Sequence, residues 1–138
     1  MSRAAVYSAL TTDAELLGLG IGEDNVHPNY TLDTPPNRVD PFLILRWEEA
    51  SPKGIRNRHP RILTVWAHIP IQSSEDHADL DPILARVEEV LTAMEQVDGG
   101  DGYIVTSINA TGAGGDLKDV GYDTIVRNAA FEVLSRRA

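Results

Sequence analysis

Cysteine is absent from this chain. No disulfide can form and no thiolate can bind a metal or attack a substrate, which leaves the redox compartment open. Long apolar runs are lacking too. No stretch approaches the roughly 18 uninterrupted apolar residues of a membrane span. The opening MSRAAVYSALTTDAELL has no apolar core and no cleavage site of the kind that marks a signal peptide. The expectation is a protein made in a cytoplasm, with no membrane partner. Basic residues are scarce: 12 Lys and Arg stand against 21 Asp and Glu, for a formal net charge of −9. Phosphate contacts supply most of the affinity of duplex-binding proteins, so this balance argues against that class. It favours a soluble surface that repels nucleic acid.

What is present is globular. Hydrophobic residues make up 42% of the 138 positions and aromatics 6%, enough for one domain spanning residues 1–138 with a core of its own. A folded chain of this mass should expose about 7,000 Å², against about 22,000 Å² when extended.

The pattern of apolar residues predicts two short helical pieces over residues 2–18. Ser2 caps the first, and Thr12 with Glu15 forms a capping box that restarts the helix. Gly18, Gly20 and Gly22 end it. Residues 20–41 hold four prolines and no period, which suggests either disorder or a segment that orders against a partner. PFLILRWEE (41–49) and RILTVWAHIPI (61–71) read as the strands of a long hairpin, with Pro70 marking a sheet edge. Residues 82–97 give a helix with Asp81 as N-cap and Pro82 in the first turn. Its face is Leu80, Ile83, Leu84, Val87, Leu91 and Met94. Strands follow over 102–110 and 122–134, joined by the glycine-rich TGAGGDLKDVG. The order helix–hairpin–helix–hairpin predicts an α+β fold, a mostly antiparallel sheet with helices packed on one face.

Chemistry is harder to find. Gly18-Leu-Gly20-Ile-Gly22 follows a helix, whereas a dinucleotide loop follows a strand and opens a helix. Thr111-Gly112-Ala113-Gly114-Gly115 lacks the Gly-Lys-Ser/Thr of a phosphate loop. It reads as a flexible hairpin loop, or as one that orders against a neighbouring subunit. His68 and His77 with Glu75, Asp76, Asp79 and Asp81 are the nearest approach to a metal set, but no His-x-His or HExxH spacing is present. The acidic run is better placed to feed negative charge into the next helix N-terminus. Ser51, Ser73 and Ser107 lie in no Gly-x-Ser-x-Gly setting, and nothing in sequence ties them to His27 or His59. The residues therefore predict no enzyme, no cofactor and no metal. Asn109-Ala110-Thr111 matches a glycosylation acceptor, without consequence in a chain that lacks a secretory signal.

Lys53, Arg56, Arg58 and Arg61 stand out. Four of the twelve basic residues fall within nine positions, at the tip of the predicted hairpin. This is either a solvated turn or a docking finger for an acidic surface on another copy or a partner, where charge complementarity sets orientation and encounter rate. Direct contact with DNA is a third reading. Trp47 and Trp66 lie on the paired strands, either as sheet packing or, where partly exposed, as interface anchors.

The run LTTDAELLGLGIG, a proline-containing loop and DPFLILRWEE together resemble the tail terminator, or tail completion, proteins of siphophages. Leu16, Leu17 and Gly18 match the end of that family's N-terminal helix pair. Pro41, Phe42, Leu43 and Ile44 match its first strand, while Ile83–Met94 and Tyr122–Leu134 fit its central helix and closing strands. The resemblance spans nearly the whole chain in order. The basic tip and the acidic run at 73–81 are not family signatures. The resemblance implies α+β subunits in a hexameric ring at the head-proximal end of the tail. Such a ring caps the tail tube protein, stops tube elongation and joins the tail to the connector or stopper on the head. DNA passes through it without specific binding. Rival readings are a head-closure, neck or minor tail protein; a partner-binding module; and a small metal-assisted cytoplasmic enzyme using His68 and His77.

Overall fold

The computed structural model describes residues 3–28, 39–49 and 60–138. Helix α1 (Arg3–Thr12) and helix α2 (Ala14–Gly18) are the two N-terminal pieces. The break falls one residue later than the predicted capping box. Asp13 leaves the helical region and its carboxylate accepts the Leu16 N–H at 3.0 Å. The Thr12 hydroxyl instead donates back to the Ser8 carbonyl at 2.7 Å. After α2, Gly20 takes φ +89°, a left-handed conformation that suits glycine, and the Ile21 N–H returns to the Leu16 carbonyl at 2.8 Å.

A 3-10 turn at Glu23–Asn25 leads into β1 (Val26–His27), which pairs in parallel with β2 (Phe42–Glu49). Asn25 holds this junction. Its side-chain oxygen accepts the Gly22 N–H at 2.6 Å, and its amide donates to the Pro41 carbonyl at 2.7 Å and to the Gly20 carbonyl. Strand β2 pairs antiparallel with β3 (Arg61–Pro70), from Phe42 opposite His68 to Glu49 opposite Arg61. The hairpin is as predicted, but β3 does not run along a sheet edge: it lies between β2 and β7 (Thr124–Arg137). Pro70 is tolerated because β2 has already ended opposite His68, so no strand needs its missing N–H on that side.

Helix α3 (Asp81–Thr92) follows a 3-10 turn at His77–Leu80. Asp76 caps that turn, its carboxylate accepting the Ala78 N–H at 2.9 Å. Asp81 is not the predicted N-cap but already helical, and it pairs with Arg127 on β7. The helix stops at Thr92, short of the predicted residue 97. Gln96 adopts φ +53° and Val97–Asp98 form strand β4 against β5 (Tyr103–Ala113). The glycine-rich run is not a free loop. It contains β6 (Leu117–Asp119), which pairs with β7 beyond the end of β5. Among the described residues the sheet has seven strands in the order β1-β2-β3-β7-β5-β4, with β6 also on β7.

The fold is α+β with the helices on one face, as the pattern predicted. Leu43, Leu45, Leu63, Val65, Phe131 and Val133 project from that face into a core completed by Val6, Leu10, Leu16, Val87 and Leu91. Burying each large aliphatic side chain there contributes roughly 1.5–3 kcal/mol. The accessible surface, 7745 Å², is close to that expected from chain mass. The pair Arg86–Asp13, at 2.7 Å, joins α3 to the start of α2.

Candidate functional site

Alternation along β2 and β3 puts Leu43, Leu45, Val65 and Ala67 under the helices. It also puts Phe42, Ile44, Trp66 and His68 on the opposite, helix-free face. The two tryptophans therefore do not meet. Trp47 packs on the core side with the Arg3 guanidinium 5.8 Å from its ring centroid, whereas Trp66 lies over Phe42, Ile44 and Tyr122 on the other side. Both are half-buried.

The helix-free face carries a second, smaller aromatic cluster. His68 stacks on Phe42 with ring centroids 4.6 Å apart and planes 9° from parallel. Tyr122, from the β6–β7 turn, meets both rings edge-on at 5.9 and 5.4 Å. His27 of β1 closes the end of the group, 5.9 Å from Phe42. His68 Nδ1 and the Thr124 hydroxyl share a hydrogen bond of 2.8 Å, and both residues are buried. Burial pushes the His68 imidazole down to about 4, against an opposing pull from the Asp119 charge. It is therefore neutral at ordinary pH.

Beside this cluster opens a hollow of about 590 Å³ whose lining includes Ile44, Arg46, Trp66, His68, Asp119 and Tyr122. The Asp119 carboxylate accepts the Tyr122 N–H at 2.9 Å, which fixes both at the rim. Arg46 across the hollow is met by Glu48 at 3.0 Å. Aromatic faces beside a carboxylate suit a cationic side chain.

Of the predicted basic tip, Arg61 is the first residue of β3, half-buried, with Glu49 and Val133 as its strand neighbours. Lys53, Arg56 and Arg58 lie outside the described residues, as do Ser51, His59 and most of the proline-rich loop. The suggested metal residues are scattered. His68 belongs to the stack, the His77 Nε2 shares a 2.9 Å hydrogen bond with the Leu117 carbonyl, and Asp81 is held by Arg127. Among the described residues no three His, Cys, Asp or Glu gather into a metal-binding group. Ser73 donates to the Val39 carbonyl.

Both sheet edges are partly open among the described residues. β1 covers only Leu43 and Ile44 of β2, and β4 only Ile104 and Val105 of β5. Asn109–Ala113 of β5 are exposed, as are Leu117 and Val120. Long edges of this kind are templates for pairing with another chain.

This architecture is shared with a solved chain. It has 17% sequence identity and a TM-score of 0.67, and the match covers 96% of this chain and 92% of that one. It comes from the virion of a native gene transfer agent particle. At this identity the likeness speaks to the fold. No protein-family model matches the chain, and no curated protein sequence matches it.

The sequence did not point to Asp119, Tyr122 and Thr124 as members of one site. A signal was available: PFLILRW and ILTVWAHI are apolar at successive positions, which marks strands covered on both faces.

Proposed function

We propose that this chain is a virion structural protein that works by assembling with copies of itself, as a tail terminator of the siphophage kind. The observation that carries the reading is the likeness, over nearly the full length of both chains, to a chain of a gene transfer agent virion. The order of sequence motifs supports it independently. In this reading six copies form a ring on the head-proximal end of the tail tube. The ring stops tube elongation and then joins the tail to the connector or stopper of the filled head.

Two physical features fit. A closed ring needs a head-to-tail interface, with two different surfaces on each protomer, and the sheet has two different, partly open edges. Six copies at −9 each also carry a formal charge of −54, so DNA would cross an acidic bore without sticking.

The test is genetic and visual. Particles produced without this chain should have tails of uncontrolled length and unattached heads under the electron microscope. Normal, joined particles would reject the role. A head-closure or minor tail protein is the second reading, since the same likeness accommodates it. Tails of normal length that fail to join heads would favour it.

A further inference from the structure

Resting on the ring reading, we propose that residues 107–110 of β5 pair antiparallel with residues 45–48 of β2 in the next copy, so that the sheet runs on from one protomer to the other.

Both edges are open where they would meet. Among the described residues no strand lies on the outer side of 106–113 in β5 or of 45–48 in β2. Sheet edges that stay in solvent are guarded by charges, prolines or bulges. Residues 103–115 hold no charged residue and no proline. The two bulges of β5 fall on either side of 107–110 and leave that stretch regular, from Ser107 opposite Leu134 to Ala110 opposite Phe131.

Strand direction and side-chain chemistry name the partner as a second copy. β2, β3, β7 and β5 alternate in direction, so β5 runs opposite to β2. A copy added in the same orientation therefore sets its β2 antiparallel to β5, with the helices of both copies on one face. Directly opposed residues share a face, which restricts the register. Ile108 belongs to the core under the helices, and Ala110 lies on that face opposite Phe131. Leu45 and Trp47 lie on the same face of β2. Setting Ala110 against Leu45 and Ile108 against Trp47 puts Asn109 against Arg46 and Ser107 against Glu48 on the helix-free face. Apolar then meets apolar, and polar meets polar. This register uses the whole regular stretch of β5 and stops where β1 begins to cover β2. Trp47, half-buried at an open edge, gains a neighbour's strand beside it, as an interface anchor does. The contact joins two different edges, so it is heterologous, the type that closes into rings, and a closed ring leaves neither edge bare.

The lack of native cysteine makes a clean test possible. Arg46 and Asn109 are both exposed, and opposed strand residues lie close enough for a disulfide. Full-length Arg46→Cys and Asn109→Cys chains are mixed at a concentration where the wild-type chain assembles, and oxidised with oxidised glutathione. Each chain alone is the control, and circular dichroism checks folding. The expected result is a disulfide-linked dimer containing one chain of each kind, well above either control. Amide hydrogen exchange of the unaltered wild-type chain gives a second measure. The outward-pointing amides of 45–48 and 107–110 should exchange at least about tenfold more slowly in the assembly than in the monomer. If the wild-type chain forms rings but the mixed disulfide is missing, or these amides exchange as in the monomer, the edges do not pair and the ring reading stands. Asn109→Cys linking to itself in preference to Arg46→Cys would show a twofold β5 contact and overturn the proposal as well. If the wild-type chain forms no assembly at all, both fall.

Discussion

His68 lies flat against Phe42, 4.6 Å between ring centroids, on the face of the sheet that carries no helix. A histidine used this way is an apolar wall with one polar tether, the Thr124 hydroxyl. Its burial has a consequence for pH. The folded state resists protonation until about 4, whereas an unfolded histidine takes its proton near the ordinary 6.5. Between these values the unfolded chain binds more protons, so stability falls as pH drops from 6.5 towards 4. The contribution of His68 to this loss between pH 8 and pH 5 is about 2 kcal/mol. Urea unfolding of wild type and His68→Gln at both pH values measures it. The variant should lose less on acidification by about that amount, and parallel losses would disprove the assignment.

Asp13 has two tasks, capping α2 and pairing with Arg86 of α3. Asp13→Ala removes both and should cost about 1–2 kcal/mol from the cap alone. Asp13→Asn keeps a capping oxygen and should cost less. The Arg86 hydrogen bond holds the Asp13 carboxyl below its usual 3.8. The stability it contributes is therefore present above that value and lost only as pH falls through the lowered one. Denaturant midpoints of the two variants test the ranking, and equal losses would contradict it.

Val120 is 93% exposed in the β6–β7 turn, with Leu117 nearby at 49%. Val120→Asp touches no core contact and should change stability by no more than about 0.5 kcal/mol. If this turn meets another copy, the same change should shift assembly to higher protein concentration. Thermal melting and sedimentation of the variant separate the two effects. A fold-destabilising effect, or unaltered assembly, would remove the turn from the interface.

Some of this was legible in sequence and some was not, for physical reasons. The face Ile83–Leu84–Val87–Leu91 has helical period and lies on α3, with Leu80 in the 3-10 turn just before it. The apolar runs at 42–49 and 61–70 form their hairpin. The end of α3 was missed because Glu95 and Gln96 are good helix formers, and the tertiary pairing of Val97 with Val105 overrode that propensity. Strand β6 is three residues among glycines, too short for any period, and it is specified by pairing with β7. The cap moved from Thr12 to Asp13 because the carboxylate also gains Arg86, a partner 73 residues away that no local pattern reveals. The hollow gathers His68, Tyr122 and Asp119 from separate elements, so only the register of β3 on β7 brings them together.

The central claim is that this chain acts as a closed assembly of identical copies. Native mass spectrometry of the purified full-length chain, over rising protein concentration, tests it most directly. The account predicts a species of six times 15.1 kDa that grows at the expense of the monomer. A monomer at every concentration, with no larger species, would contradict it.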